Sequence, residues 1–428
     1  MSALARILHG QGHAVVGSDI PDYVFTEDGL RTDGIPIVPF QTTNFAQPYD
    51  VIIRGSAFNK DNNIEVAYLE QQGIATVSYY DFLNQFLQNY TSFAITGTHG
   101  KTTTSGLVAK VFEDDNAAYL IGDGTGAAGR DAKHFIFESC EYKRHFLAYH
   151  PDYAIITNVE YDHPDYFADL ADVIDAFSSM VAQTAKQVIA FGDDEAVKQV
   201  MSGHKRDKFI TYGFGLDNDF RIERYNPSMQ GITFTLCKEE QALYTFTLPF
   251  FGVHMVLNSV PAIIAGHLEG KSWEAIEAKL QTYDGVKRRF NIETIGRYVI
   301  IDDYAHHPSE IAVTLAAVKQ KFPHKQIVSI FQPHTFTRTE ALADDFVRAL
   351  SESDVLYITD IFGSVREEGL DTTPLALLDG IAKASHLTHD NVVHLMEHNE
   401  SVFVFMGAGD VQKYIDVFKN HITTKQIS

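Results

Sequence analysis

The stretch Thr96-Gly97-Thr98-His99-Gly100-Lys101-Thr102-Thr103-Thr104 collects the residue types that bind a phosphate chain. Glycines at 97 and 100 let backbone N–H groups approach an anion, and Lys101 supplies a point charge. The Thr102 hydroxyl is suited to Mg²⁺. Two residues separate the glycines where the common phosphate-loop spacing has four, so the flanking elements have to carry the reading. They are a short apolar strand, Phe93 to Ile95, before the turn and a helical pattern through Leu107, Val108 and Val111 after it. A loop entering a helix N-terminus adds the helix dipole to the phosphate site.

Three further polar clusters follow predicted strands, at the ends where open α/β sheets hold their ligands. Glu138 and Glu141 come after Phe135 to Phe137; Asn158, Asp162, His163 and Asp165 come after Tyr153 to Thr157. Together with a loop hydroxyl these make a site for a hard cation, since Mg²⁺ takes few protein ligands and leans on substrate phosphates. Each residue alone also reads as a surface or capping group. The third cluster is Asp302-Asp303-Tyr304-Ala305-His306-His307-Pro308, between a strand and a helix. Its aspartates could cap that helix. A zinc reading of the doubled histidine is weak, because adjacent histidines point apart and no spaced partner is evident. Arg288 and Arg289 fall where a guanidinium could grip a phosphate or carboxylate, or form a solvated linker.

Positioning these groups takes more than one core, since 428 residues exceed what a single core serves. The predicted order alternates strands and helices, which implies an α/β class with doubly wound parallel sheets. Boundaries are expected near 90 and 286, giving units over 1–90, 91–286 and 287–428. The first begins with a helix, Met1 to Gly12, and a strand, Ala14 to Asp19. The second holds the phosphate loop and, over Phe209 to Leu248, an antiparallel β insertion. The third alternates strands such as Tyr298 to Ile301 and Ile327 to Phe331 with helices such as Ser309 to Lys321 and Thr339 to Leu350. Gly122-Asp123-Gly124-Thr125-Gly126 reads as a turn, because no helix pattern follows it.

A formal net charge of -22 argues against nucleic acid or an anionic membrane as the partner. Cys140 and Cys237 cannot build a disulfide framework or a cysteine metal site. No apolar run approaches a membrane span and no signal pattern opens the chain, so a cytoplasmic location is expected.

With these stretches in view the chain resembles the Mur ligases, ATP-dependent amide-forming enzymes of peptidoglycan synthesis. The matching motifs are Thr96 to Thr104, Glu138 to Phe146, Thr157 to Asp165, Asn258 after Gly252-Val253-His254, Gly285 to Phe290, Asp302 to Pro308, Phe331 to Thr339 and Met406 to Asp410. They span nearly the whole chain in family order. Asp302 to Pro308 and Gln332 to Thr339 resemble the branch that joins L-alanine to UDP-N-acetylmuramate. The alternatives are the branch that returns a tripeptide to the same sugar nucleotide, and a truncated homologue that binds ATP without turnover.

The resemblance implies a UDP-sugar-binding first domain, a central P-loop ATPase domain and a dinucleotide-binding-like third. It implies ATP and Mg²⁺ as cofactors, with UDP-N-acetylmuramate and L-alanine as substrates. Gly97, Thr98, His99, Gly100, Lys101 and Thr103 would hold the ATP phosphates, and Thr102, Glu138 and His163 the Mg²⁺. Asn258 would meet adenine, Asp303 the ribose, and Arg289 the phosphates from the domain junction. His306 and Arg338 would line the site where the amino acid meets an acyl phosphate made on the sugar's carboxylate. Two departures stand out. Met255 follows His254 where the family often has asparagine, and the family's opening strand and glycine loop would lie immediately before Met1. The expectation from the second is weak UDP-sugar binding and exposed strand edges in the first unit.

Overall fold

The computed structural model describes residues 1–20, 25–363 and 384–427. Its centre is a ten-stranded sheet. From one edge the strands run Gln241–Leu248, Gly231–Lys238, Phe220–Ser228, Phe209–Gly213, Val188–Phe191, Tyr153–Ile156, Thr91–Thr96, His134–Glu138, Ala118–Leu120 and Gly126–Ala127. Thr91–Thr96 lies between Tyr153–Ile156 and His134–Glu138, all parallel, so the phosphate loop and the two polar clusters of the middle region leave neighbouring strand ends. These strands are apolar throughout because both faces are covered. Ala94, Phe135, Phe137 and Ile156 face one core, and Phe93, Ile95, Ile136 and Ile155 face the other.

The antiparallel segment continues this sheet and begins later than its composition suggests. Phe209–Gly213 is parallel to both Val188–Phe191 and Phe220–Ser228; only the last three strands pair antiparallel. The glycine run at 122–126 is a turn, leading into the short strand Gly126–Ala127, antiparallel to Ala118–Leu120.

The C-terminal sheet has six strands in the order Asn291–Ile295, Tyr298–Asp303, Val402–Met406, Ile327–Phe331, Val355–Ile358 and Ala384–His386. It is parallel except for the first pair. The helix expected over Thr339 to Leu350 is two helices, Phe336–Ala341 and Ala343–Leu350, because Leu342 leaves helical geometry with φ -115° and ψ 21°. The break lets the first piece bury Arg338 and Thr339 while the second buries Phe346, Ala349 and Leu350.

In the first unit the strands pair two by two, Gly17–Asp19 with Ile37–Pro39 and Ile53–Arg54 with Val77–Ser78. The opening helix, Ser2–Gly10, buries Leu4 and Ile7 in the core on one face of the central sheet. Among the described residues no helix is long and apolar enough to cross a membrane.

Candidate active site

The phosphate loop is fixed before its helix starts. Gly97 has φ 135° and Gly100 φ 80°, conformations that side chains rarely adopt. Gly100 caps the helix Lys101–Val111. A Cβ at Gly97 would run into Thr157 Oγ1, and one at Gly100 would stand 2.5 Å from Asn258 Oδ1. The loop backbone is tied to the adjacent strand end. Asn158 Oδ1 accepts the His99 N–H at 2.9 Å while its Nδ2 donates to the His99 carbonyl at 3.0 Å. Thr157 Oγ1 donates to the same carbonyl at 2.6 Å. Asn158 is thus a clamp on the loop and not a cation ligand. The Thr98 hydroxyl is spent likewise, accepting the Glu160 N–H at 2.8 Å.

Lys101 reaches the loop mouth, donating to the Gly97 and Thr98 carbonyls at 2.6 and 3.0 Å and lying 3.0 Å from Glu141 Oε2. Burial opposes its charge, but Glu141, Cys140 and Glu138 outweigh it and raise the pKa. Glu141 is itself held low: burial works against its ionisation, and Lys101 and His163 overcome that. His163 Nε2 is 3.5 Å from Glu141 Oε1 and its ring lies 4.7 Å from Tyr142. Its backbone sits at φ 56°, which costs a non-glycine residue about 1–2 kcal/mol. Strain of this kind gathers at working sites. Glu138 accepts the Gly122 N–H at 2.9 Å. So the carboxylate in direct contact with both Lys101 and His163 is Glu141, while Glu138, at the end of the strand His134–Glu138, holds the Gly122 N–H. Carboxylates, an imidazole and the Thr102 hydroxyl on the first helical turn could together hold a hard cation that shares phosphate oxygens.

The C-terminal unit closes over this centre. Arg338 Nη2 donates to Asp162 Oδ1 at 3.0 Å, with side chains 8% and 9% exposed. Burial would raise the Asp162 pKa, but Arg338 and His163 hold it well below the usual range. Asp162 is therefore an ion-pair partner and not a free ligand; Asp165 accepts the Tyr142 hydroxyl at 2.7 Å.

A second junction contact involves the phosphate loop itself. His99 Nδ1 lies 3.2 Å from Glu310 Oε1, and its Nε2 3.5 Å from Glu160 Oε2. Burial opposes its charge, but the carboxylates of Glu160 and Glu310 win and lift its pKa to about 9. His307 goes the other way, to about 4, through burial and the neighbouring charge on His99. Glu310 also accepts the His306 and His307 N–H groups at 3.0 and 3.3 Å, capping the helix Pro308–Lys321 from its third residue. His306 Nδ1 is 3.0 Å from the Tyr304 carbonyl, and its ring is 5.9 Å from His334.

The remaining expected residues divide. Asn258 abuts the loop at Gly100, and Arg289 lies over the Tyr304 ring, 3.7 Å from Glu310, at the junction. Arg288 is committed to the fold, donating to the Gly407 and Gly409 carbonyls at 2.6 and 3.1 Å. Asp303 is buried and accepts from Phe290 N, Ala305 N and the Thr314 hydroxyl, which fixes its carboxylate at the end of its strand. Thr103 is buried in the helix that follows the loop. Glu160 and Glu310 take central places that the sequence reading did not single out, and Glu141, expected beside Glu138, is the one that meets Lys101.

Three family models match the chain. They are described as the Mur ligase family, catalytic domain, over residues 1–91; the Mur ligase middle domain over 95–266; and the Mur ligase, glutamate ligase domain, over 288–409. The chain is 45% identical to the UDP-N-acetylmuramate–L-alanine ligase of Streptococcus gordonii, over 97% of this chain and 93% of that one. Identity to the Streptococcus mutans protein of the same description is also 45%, over 97% and 91%. Among solved structures, the UDP-N-acetylmuramate–alanine ligase from Thermotoga maritima superimposes with a TM-score of 0.80 at 26% identity, covering 99% of this chain and 97% of that one. A murein peptide ligase from Psychrobacter arcticus shares the fold, with a TM-score of 0.70 at 21% identity over 99% and 96%.

Proposed function

The chain belongs to the Mur ligase family, and from this premise we infer that it joins L-alanine to UDP-N-acetylmuramate in the ATP-dependent amide-forming step of peptidoglycan synthesis. The observation that carries the reading is the constellation of Lys101, Glu141 and His163 beneath a clamped phosphate loop, in a chain 45% identical to alanine ligases.

In this reading the loop N–H groups and Lys101 bind the ATP phosphates, and Thr103 supports the first helical turn. Thr102, Glu138 and His163 would hold Mg²⁺, which when bound offsets negative charge on the transferring phosphoryl group. Asn258 and Arg289 border the nucleotide from opposite units. The sugar's carboxylate takes the γ-phosphoryl group and becomes an acyl phosphate; the neutral amine of L-alanine then displaces phosphate. His306, beside His334 and Tyr304, faces the incoming amine, and Arg338 is positioned by Asp162 to meet a carboxylate. Most of the acceleration comes from holding the reactants in line in a site closed by the C-terminal unit. The units divide near 90 and 286, and the location is the cytoplasm, where the nucleotide substrates are made.

The test is ADP release in a coupled assay with Mg²⁺, UDP-N-acetylmuramate and a panel of amines. Release should need L-alanine, with glycine and L-serine poorer. Equal turnover with a tripeptide bearing a free amine would move the assignment to the recycling branch; no release with any amine would overturn it.

A further inference from the structure

At the seam between the central and C-terminal units, His99, Glu160 and His307 each offer a ligand atom, all within 4.8 Å of one another. The arrangement differs from a chance meeting of polar side chains in how the imidazoles are held. His99 gives its Nδ1 to Glu310 Oε1 at 3.2 Å, while its Nε2 is buried with no hydrogen-bond partner. That free nitrogen points toward Glu160 Oε2, 3.5 Å away. His307 gives its Nδ1 to the Ser309 hydroxyl at 2.6 Å, leaving Nε2 as its remaining ligand atom. Ser309 also donates to Glu160 Oε2 at 3.1 Å. The two rings lie 4.6 Å apart between centroids.

A histidine whose far nitrogen is fixed by a carboxylate or hydroxyl, with the near nitrogen left open, is the orientation seen in metal-ligating imidazoles. Two histidines and one glutamate are a donor set for zinc, with a fourth position left for water. Imidazole nitrogen favours zinc and cobalt over Mg²⁺, so an ion here would not compete with the Mg²⁺ of the phosphate site. We propose that His99, Glu160 and His307 form a divalent transition-metal site, of the zinc class, that staples the phosphate loop to the helix Pro308–Lys321.

On binding, the ion takes the place of the His99 Nε2 proton, which passes to solvent. The carboxylates that favour that proton are equally well placed to favour a cation of charge two. With ligands from residues 99 and 160 on one side and 307 on the other, the ion would fix the angle between the two units.

The experiment adds Co²⁺ to the untagged full-length protein in excess Mg²⁺ and follows visible absorption and calorimetry. The expected result is one tightly bound Co²⁺ with nitrogen-ligated d–d bands, displaced by Zn²⁺. His307→Gln and Glu160→Gln should each weaken it at least tenfold, Ser309→Ala several-fold, and Glu138→Gln not at all. Far-UV circular dichroism and metal-free melting curves identify any variant that has lost its fold, and Ser309→Ala, which keeps all three ligands, then decides the matter. Absence of binding, undiminished binding in the variants, or loss in Glu138→Gln would overturn the proposal. Because the readout is metal bound and not ligase activity, its failure is separate from failure of the proposed reaction.

Discussion

Arg338 of the C-terminal unit and Asp162 of the central unit meet at 3.0 Å as a buried ion pair. Asp162 precedes His163, so the contact that joins the units also sets the backbone of a residue assigned to the phosphate site.

Breaking the pair should therefore act on stability and catalysis together. Asp162→Ala leaves a buried guanidinium without its partner, a change that costs about 3–5 kcal/mol. Denaturant unfolding should show that loss, and Asp162→Ala with Arg338→Met should restore part of it. The Asp162 pKa is held below its ordinary value of 3.8. Its contribution is thus complete above the unfolded-state value and is lost only as pH falls through the lower folded-state value. Unfolding curves taken down through acid should place the loss below pH 3.8, and not between pH 5 and 7.

His99 has the opposite sign. Its pKa rises from 6.5 to about 9, so the stabilisation is fully present below 6.5 and disappears as pH rises through 9. The size is at most about 3.5 kcal/mol, since each tenfold gain in proton affinity is worth about 1.4 kcal/mol. Histidine NMR of the metal-free protein should show one imidazole titrating near 9 and another, His307, near 4. Glu310→Gln should bring the first value down; an unchanged value would mean that the contact is not made in solution.

Lys101→Ala and His163→Ala should each lower turnover more than tenfold while far-UV circular dichroism shows the fold intact. Both groups are assigned to charge on the phosphoryl group, not to packing. Single-turnover ADP formation is the measurement, and retained activity in either variant would show that the phosphate site lies elsewhere.

Gly97→Ala and Gly100→Ala should fold but lose ATP affinity by tenfold or more, because each adds a methyl group where the chain needs positive φ and a close neighbour already stands. Equilibrium binding of ATP tests this directly.

The parallel strands were legible because strands buried on both faces read as short apolar runs, and Phe93 to Ile95, Phe135 to Phe137 and Tyr153 to Thr157 fell within a residue or two of their observed ends. The two-residue strand Gly126–Ala127 and the edge strand Asn291–Ile295, mostly half-exposed or exposed, carried no such signal. Within the site, Glu138 and Glu141 could both be picked out, but which one meets Lys101 depends on the turn after the strand. That turn holds Lys143 and Arg144 in left-handed geometry, which no local pattern announces. Glu310 was not singled out in the sequence, where Asp302 and Asp303 were the expected caps of that helix. Its bond to His99, 211 residues away, leaves no local trace.

The clamp on the phosphate loop also has a thermodynamic reading. Asn158 and Thr157 hold the His99 peptide from both its N–H and its carbonyl, so the loop has its binding shape without nucleotide. Ordering a mobile loop normally subtracts from affinity, by about 0.5–1.5 kcal/mol for each side chain immobilised. Here that entropy is already lost during folding, and ATP should bind with a small entropic penalty and fast kinetics.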